Sequence, residues 1–317
     1  MSISILGAGA FGTALAIALS RDGNPVTLWG RNQAAIGDMQ TTRRAGENLA
    51  RTPLPKELMV TGNISDASAD VVLVAVPTQT LRGFLESVGP LNSSLVACCK
   101  GVDQTTNLGP VRTIQQVEPE SPAAMLTGPS FAADIAAGLP TALVLACEDV
   151  KVGQSLQAEL SRPLLRIYRT TDVTGAELGG ALKNIIALAA GITIGAGLGD
   201  SARASIIARG FAEMSRYAVS KGASLETLHG LSGLGDLVLT CTSEKSRNFS
   251  TGVALGRNTT TTAQTVEGLA TASVIARDAQ KVGLDLPLIS TVAAVVAGKL
   301  DISSAIATLL ARPVGKE

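Results

Sequence analysis

Apolar residues fall into short, nearly unbroken runs along the first half of the chain and into longer stretches of helical period along the second. The runs are Ile3–Leu6, Val26–Trp29, Val71–Val76, Leu95–Lys100, Ala124–Thr127, Ala142–Ala146 and Leu165–Tyr168. Continuous apolar runs of this length read as parallel strands covered on both faces. Helical stretches such as Thr78–Ser87 and Ser130–Ala137 lie between them. Strand and helix in alternation predict an α/β fold with a doubly wound sheet. After Thr171 the strand signals stop. Asp172 is placed to cap a long helix through Gly175–Ile194, and a second helix runs from Asp200-Ser201 to about Lys221. Shorter helical periods follow at Leu225–Leu228, Glu267–Val282, Leu288–Ala297 and Ser303–Leu310, with the polar, mobile connection Thr259–Thr262 among them. The pattern predicts two domains: residues 1–171, built on the sheet, and residues 172–317, all helical.

The first run breaks directly into Gly7-Ala8-Gly9-Ala10-Phe11-Gly12, and Thr13–Ser20 then read as a helix. A strand, a G-x-G-x-x-G turn, a helix and a second strand make the context in which this motif binds a dinucleotide. Gly7 permits the tight turn, Gly9 lets backbone N–H groups approach a pyrophosphate, and Gly12 lets helix and strand pack closely. An NAD site usually carries an Asp or Glu at the end of the second strand to accept from the ribose 2′-OH. Here the residues are Gly30-Arg31-Asn32. A guanidinium suits a 2′-phosphate and stacks on adenine, so Arg31 points to NADP(H), with NAD(H) as a second cofactor. In such a fold the ligand lies over the carboxyl ends of the strands, which are Val76-Pro77, Lys100-Gly101 and Gly128-Pro129-Ser130.

Composition narrows the function. The 317 residues are 46% hydrophobic and 16% charged, enough for two separate cores. Lys+Arg and Asp+Glu both number 26, so no net field attracts nucleic acid or a membrane surface, and 3% aromatic content offers no base-stacking platform. The four cysteines, Cys98, Cys99, Cys147 and Cys241, make no C-x-x-C pair and read as buried free thiols of a reducing compartment. A single histidine, His229, argues against a histidine-rich zinc site and a Ser-His-Asp triad, and it reads as structural. No metal site is expected. The chain opens on a core strand rather than a basic leader, and its longest apolar stretch, Ile185–Gly199, is short for a membrane span. A cytoplasmic protein without a stable membrane anchor is expected.

Three places carry candidate chemistry. Lys183 stands in Gly179-Gly180-Ala181-Leu182-Lys183-Asn184, where its helical neighbours Gly179, Gly180 and Ala187 are all small and leave room for a ligand. A lysine in an apolar helix is expensive unless paired or deprotonated, and burial moves an ammonium toward the range useful for proton transfer. Lys100 ends a buried strand where it can neutralise a carbonyl oxygen or a phosphate. The densest polar cluster runs from Gly233 to Asn248. In it Asp236 sits in a glycine-flexed turn and can orient an ammonium. Ser246, Arg247 and Asn248 open the next helix, and a helix N-terminus with a guanidinium fork suits a phosphate.

These residues, with Gly128-Pro129-Ser130-Phe131-Ala132 and Leu182-Lys183-Asn184, resemble the bacterial NAD(P)-dependent glycerol-3-phosphate dehydrogenases from Gly7 to Glu267-Gly268. The resemblance implies a Rossmann domain followed by a helical domain of the 6-phosphogluconate dehydrogenase-like type. It implies interconversion of dihydroxyacetone phosphate and sn-glycerol 3-phosphate by hydride transfer, supplying glycerophospholipid synthesis. Lys183 matches the family's proton donor and acceptor, with Asp236 and Lys100 assisting. Lys100, Gly128, Ser130, Lys183, Asn184, Asp236, Ser246, Arg247 and Asn248 match substrate-binding positions. Gly7, Gly9, Ala10, Phe11, Gly12, Arg31, Lys100, Ala132, Arg247, Thr265 and Glu267 match cofactor-binding positions, and Ala10 departs from the family's frequent Ser. A β-hydroxyacid dehydrogenase and a non-catalytic NADP-sensing regulator are the alternatives. The apolar helical domain suggests a homodimer, and the substrate is a phosphorylated small molecule.

Overall fold

A computed structural model describes residues 1–259 and 266–311 of the chain. Two compact units form. One comprises Met1–Lys100 and Leu108–Glu177; the other takes Gly101–Asn107 and the chain from Leu178 onward.

The first unit holds an eight-stranded sheet of β1 (Ile3–Leu6), β2 (Val26–Trp29), β3 (Leu58–Thr61), β4 (Val71–Val74), β5 (Ser94–Ala97), β6 (Ala123–Thr127), β7 (Thr141–Ala146) and β8 (Leu165–Thr170). Their order is β3-β2-β1-β4-β5-β6-β7-β8. Neighbours are parallel except β6 and β7, which run antiparallel. Its helices are α1 (Ala10–Ser20), α2 (Gln33–Thr42), α3 (Thr78–Val88), α4 (Pro110–Val117), α5 (Ala132–Ala137), α6 (Val150–Leu160) and the start of α7 (Val173–Gly195). Side chains alternate across the sheet as the pleat requires. Ile3, Ile5, Leu28 and Leu73 pack with Leu15, Ile36 and Leu156 of α1, α2 and α6. Leu6, Val72, Val74 and Leu95 pack on the opposite face with Leu81, Leu85 and Ile114 of α3 and α4. Both faces are covered, which is why the strands read as apolar runs.

Four expectations change. Strand β3 has no counterpart in the sequence pattern: it is a four-residue edge strand whose Met59 faces solvent, with Lys56-Glu57 before it. The sheet is not wholly parallel. Strand β5 stops at Ala97, so Lys100 lies three residues beyond the strand instead of ending it; Gly101, at φ 127°, turns the chain there. Helix α1 begins at Ala10 and helix α5 at Ala132, so Ser130 belongs to the preceding loop.

Among its described residues the second unit has no strand, and its helices are the rest of α7, then α8 (Gly199–Ser220), α9 (Leu225–His229), α10 (Asp236–Cys241), α11 (Arg247–Gly256), α12 (Glu267–Lys281), α13 (Pro287–Val296) and α14 (Ile302–Leu310). Asp172 caps α7 as expected, its Oδ1 accepting from Gly175 N–H at 2.8 Å. Helix α7 is long and apolar enough to cross a membrane by length and composition, but 83% of its most apolar stretch is buried in the protein. Its Ile185 and Leu188 pack in one core with Met214, Leu237, Phe249 and Ile289. A Cβ on Gly191 or Gly195 would run into the backbone of α11 at Gly252 and Gly256, so the two helices meet along facing glycines. The four cysteines are buried and form no disulfide among the described residues. His229 is exposed at the end of α9, with its ring 5.5 Å from that of Phe211. Most of the connection Thr259–Thr262 lies outside the described residues.

Glu177 shows how α4 is held. The buried carboxylate accepts from Val111 N–H at 2.6 Å, at the N-terminus of α4, in space that a Cβ on Gly109 would fill. Burial raises this carboxyl to about 7, an effect only partly offset by the Val111 hydrogen bond and by Arg112. The folded state therefore holds the proton more tightly than the unfolded chain. Stability is lost as pH rises from the ordinary carboxylate range through about 7. Glu177→Gln keeps an acceptor and removes the buried charge. Its melting temperature should exceed the parent's at pH 8 by roughly 5 °C, and the gain should vanish at pH 5. A lower melting temperature at pH 8 would show that the charge is compensated.

Candidate active site

The glycine turn after β1 does what its motif requires. Gly7 has φ 121°, and a Cβ there would lie 2.6 Å from Ala75 O. A Cβ on Gly12 would overlap Gly7 O, which seats α1 directly on the turn. Gly9 differs: a Cβ there would meet nothing within 4 Å, so space is open above the N-terminus of α1. That N-terminus has no side-chain cap and no acidic residue in its first turn. Its N–H groups are suited to an anion brought from outside the chain. Ala10, Phe11 and Ala132 are partly buried around the same core. Arg31 is exposed just past β2, with no ion pair among the described residues. Its neighbour Asn32 is engaged as the cap of α2, accepting from Ala35 N–H at 3.1 Å. These residues fit a dinucleotide with a 2′-phosphate.

Three of the expected substrate positions converge beyond β5 and β6. Lys100 Nζ donates to Gly128 O at 3.2 Å, and Ser130 Oγ donates to the same oxygen at 3.2 Å. Thr78 Oγ1 fixes the Lys100 backbone by donating to its carbonyl at 2.9 Å.

In the second unit Lys183 is buried and paired. Its Nζ donates to Asp236 Oδ1 at 2.5 Å and to Thr240 Oγ1 at 2.8 Å. Asp236 is 1% exposed and opens α10 rather than lying in a loose turn: the π-helical turn Leu231–Gly235 leads straight into it. Of the small residues around Lys183, Gly179 is covered by protein and leaves no room for a ligand. A Cβ on Gly179 would lie 2.5 Å from Ser232 O, because the turn carrying Asp236 packs against α7 there. Thr240 escaped the sequence reading, although its place one helical turn after Asp236 is a usable signal. Burial pushes the Cys241 thiol up to about 12, so it stays protonated beside this pair.

Ser246 caps α11, its Oγ accepting from Phe249 N–H at 3.3 Å, and Arg247 is exposed beside it. Asn248 is turned inward. Its Nδ2 donates to Asn184 Oδ1 at 3.0 Å, and its Oδ1 accepts from Gly268 N–H at 3.0 Å. Asn184 Nδ2 in turn donates to Glu267 Oε2 at 3.3 Å. Thr265 lies outside the described residues.

Known proteins similar to this chain identify its family. Residues 2–153 match the family model for the NAD-dependent glycerol-3-phosphate dehydrogenase N-terminus, and residues 172–307 match that for its C-terminus. The chain belongs to this family. A glycerol-3-phosphate dehydrogenase (NAD(P)+) of Ruegeria sp. (strain TM1040) is 53% identical over the full length of both chains. The crystal structure of glycerol-3-phosphate dehydrogenase from Coxiella burnetii superposes with a TM-score of 0.92 at 34% identity, covering 98% of this chain and 99% of that one. A D-mandelate dehydrogenase complex, at 14% identity, a TM-score of 0.66 and coverage of 96% and 99%, shares the fold alone.

The two glycines make opposite predictions. Gly9→Val should fold normally, with circular dichroism and melting unchanged, and lose NADPH binding in a fluorescence titration. Gly12→Val should destabilise the protein itself by about 1–3 kcal/mol or more, through overpacking. Normal NADPH binding by Gly9→Val would remove the turn from the cofactor site.

Proposed function

We propose that the protein catalyses the NAD(P)-dependent interconversion of dihydroxyacetone phosphate and sn-glycerol 3-phosphate. The observation that carries the reading is Lys183, buried and held by Asp236 and Thr240, in a chain whose glycine turn has room for an anion at Gly9. In this reading residues 1–171 bind the dinucleotide and residues 172–317 bind substrate.

The nicotinamide supplies the hydride. Lys183 gives a proton to the oxygen that was the ketone and takes it back in reverse, and Asp236 holds the ammonium in place. Lys100, held at Gly128 O, stabilises negative charge on substrate, and Ser130 presents a hydroxyl beside it. Arg247 and the N-terminus of α11, with Ser246 and Asn248, take the phosphate. Binding the phosphate away from the reacting carbon helps to fix the carbonyl for attack. Gly7, Gly9, Ala10, Phe11, Gly12 and Ala132 receive the dinucleotide, and Arg31 its 2′-phosphate, so NADP(H) is the main cofactor and NAD(H) a second. Thr265 and Glu267 are assigned to the cofactor by resemblance.

The Lys183–Asp236 pair argues against a cofactor sensor, which has no need of it. The guanidinium at the α11 N-terminus favours a phosphate over the carboxylate of a β-hydroxyacid. A cytoplasmic homodimer feeding glycerophospholipid synthesis is the setting this reading implies.

Purified protein given dihydroxyacetone phosphate should oxidise NADPH, and NADH more slowly, as followed by nicotinamide absorbance. Lys183→Ala should lower kcat by at least about a hundredfold, the scale of a lost general acid. Near-normal turnover by that variant would remove Lys183 from the chemistry. Arg31→Asp should shift kcat/KM from NADPH toward NADH by about tenfold or more. Unchanged NADPH kinetics would leave the 2′-phosphate without its assigned partner.

A further inference from the structure

Lys183 and Asn184 are adjacent on α7 but are tied to different elements. Lys183 is held by α10 through Asp236 and Thr240; Asn184 is held by α11 and α12. The second set of bonds is a directed chain: Gly268 N–H to Asn248 Oδ1, Asn248 Nδ2 to Asn184 Oδ1, and Asn184 Nδ2 to Glu267 Oε2. Both ends have a forced polarity. A backbone N–H only donates, and an ionised carboxylate only accepts. The orientation of both carboxamides between them is therefore determined, with neither able to flip without placing like groups face to face. Asn184 is 3% exposed and Asn248 8%, so a reversed amide would lose its partner where water gives little replacement. The packing is equally tight. A Cβ on Gly268 would lie 2.7 Å from Asn184 O and 2.8 Å from Asn248 Oδ1, so α12 reaches the chain only because glycine follows Glu267. Each Asn spends one of its two amide protons in the chain, and the other is left with a fixed direction.

We propose that Glu267 is a positioning residue for the phosphorylated substrate, acting through Asn184 and Asn248. Its carboxylate makes the two carboxamides present N–H rather than C=O at the α11 N-terminus, and so selects an anionic group there. This inference rests on the reading above, in which that N-terminus takes the substrate phosphate. It differs from the resemblance, which gives Glu267 to the cofactor alone.

The test is steady-state kinetics of Glu267→Ala and Glu267→Gln, with KM for dihydroxyacetone phosphate and for NADPH measured separately and melting temperature as a control. Glu267→Ala should raise KM for dihydroxyacetone phosphate about tenfold, the effect of losing a hydrogen bond to a charged group, besides any change in KM for NADPH from the cofactor contact assigned to it by resemblance. Glu267→Gln, which restores an acceptor, should recover most of that loss. The double variant Glu267→Ala/Asn184→Ala should be no worse for dihydroxyacetone phosphate than Asn184→Ala alone, since the two act in one chain. An unchanged KM for dihydroxyacetone phosphate in Glu267→Ala, or additive losses for that substrate in the double variant, would each overturn the proposal. If Glu267→Ala does not fold, Glu267→Ser, whose side chain is too short to reach Asn184, takes its place with the same rise in KM for dihydroxyacetone phosphate expected. Absence of any NADPH oxidation by the parent protein would instead defeat the underlying assignment of the reaction.

Discussion

The candidate site in the second unit depends on a buried ammonium paired with a buried carboxylate. Lys183 sits among the fully buried side chains of α7, where an unpaired ammonium would cost several kcal/mol. Asp236 removes that cost at 2.5 Å, and Thr240 adds an acceptor at 2.8 Å. Neither partner is near Lys183 in sequence. The pair therefore requires the turn before α10 to lie directly against α7. Gly179 allows this, since any side chain there would strike Ser232. Charge, turn and glycine form one constraint: changing any of them displaces the group assigned to proton transfer.

The same device recurs wherever a functional group must be brought close. Gly12 lets α1 sit on the turn after β1, and the missing side chain at Gly9 leaves the space beyond it open. Gly191 and Gly195 meet Gly252 and Gly256, which brings α11 against α7 and carries its N-terminus to Asn184. Gly268 brings α12 to the same point. Small residues here set distances between backbones, and polar side chains then bridge what remains. A ligand-sized groove would leave such glycines uncovered; in the second unit they are filled by protein.

Hydrophobic pattern made most of the architecture legible. Seven of the eight strands were visible in the apolar pattern, the central ones because both faces of the sheet are covered there, while β3 was hidden by its edge position and its solvent-facing Met59. Local rules were equally sound for α7, where Asp172 caps the helix, and for α11, where Ser246 does. Strand ends were less legible. The runs into Val76 and Lys100 continue past the last ladder residues, since apolar character persists through a buried turn as readily as through a strand.

What the sequence determined by itself was the set of local decisions: which segments are strand or helix, where the phosphate-binding turn lies, which residues bear chemistry. These depend on neighbours within a few positions, through the two periodicities and the backbone freedom of glycine. Only the tertiary structure decided how the chemical groups are used. It paired Lys183 with Asp236 and Thr240, covered Gly179 with the Ser232 turn, and turned Asn248 inward to join Asn184, Glu267 and Gly268. Those outcomes join residues 20 to 83 positions apart. Such separations leave no periodic trace in the chain, because the contacts form only once the helices carrying them have packed.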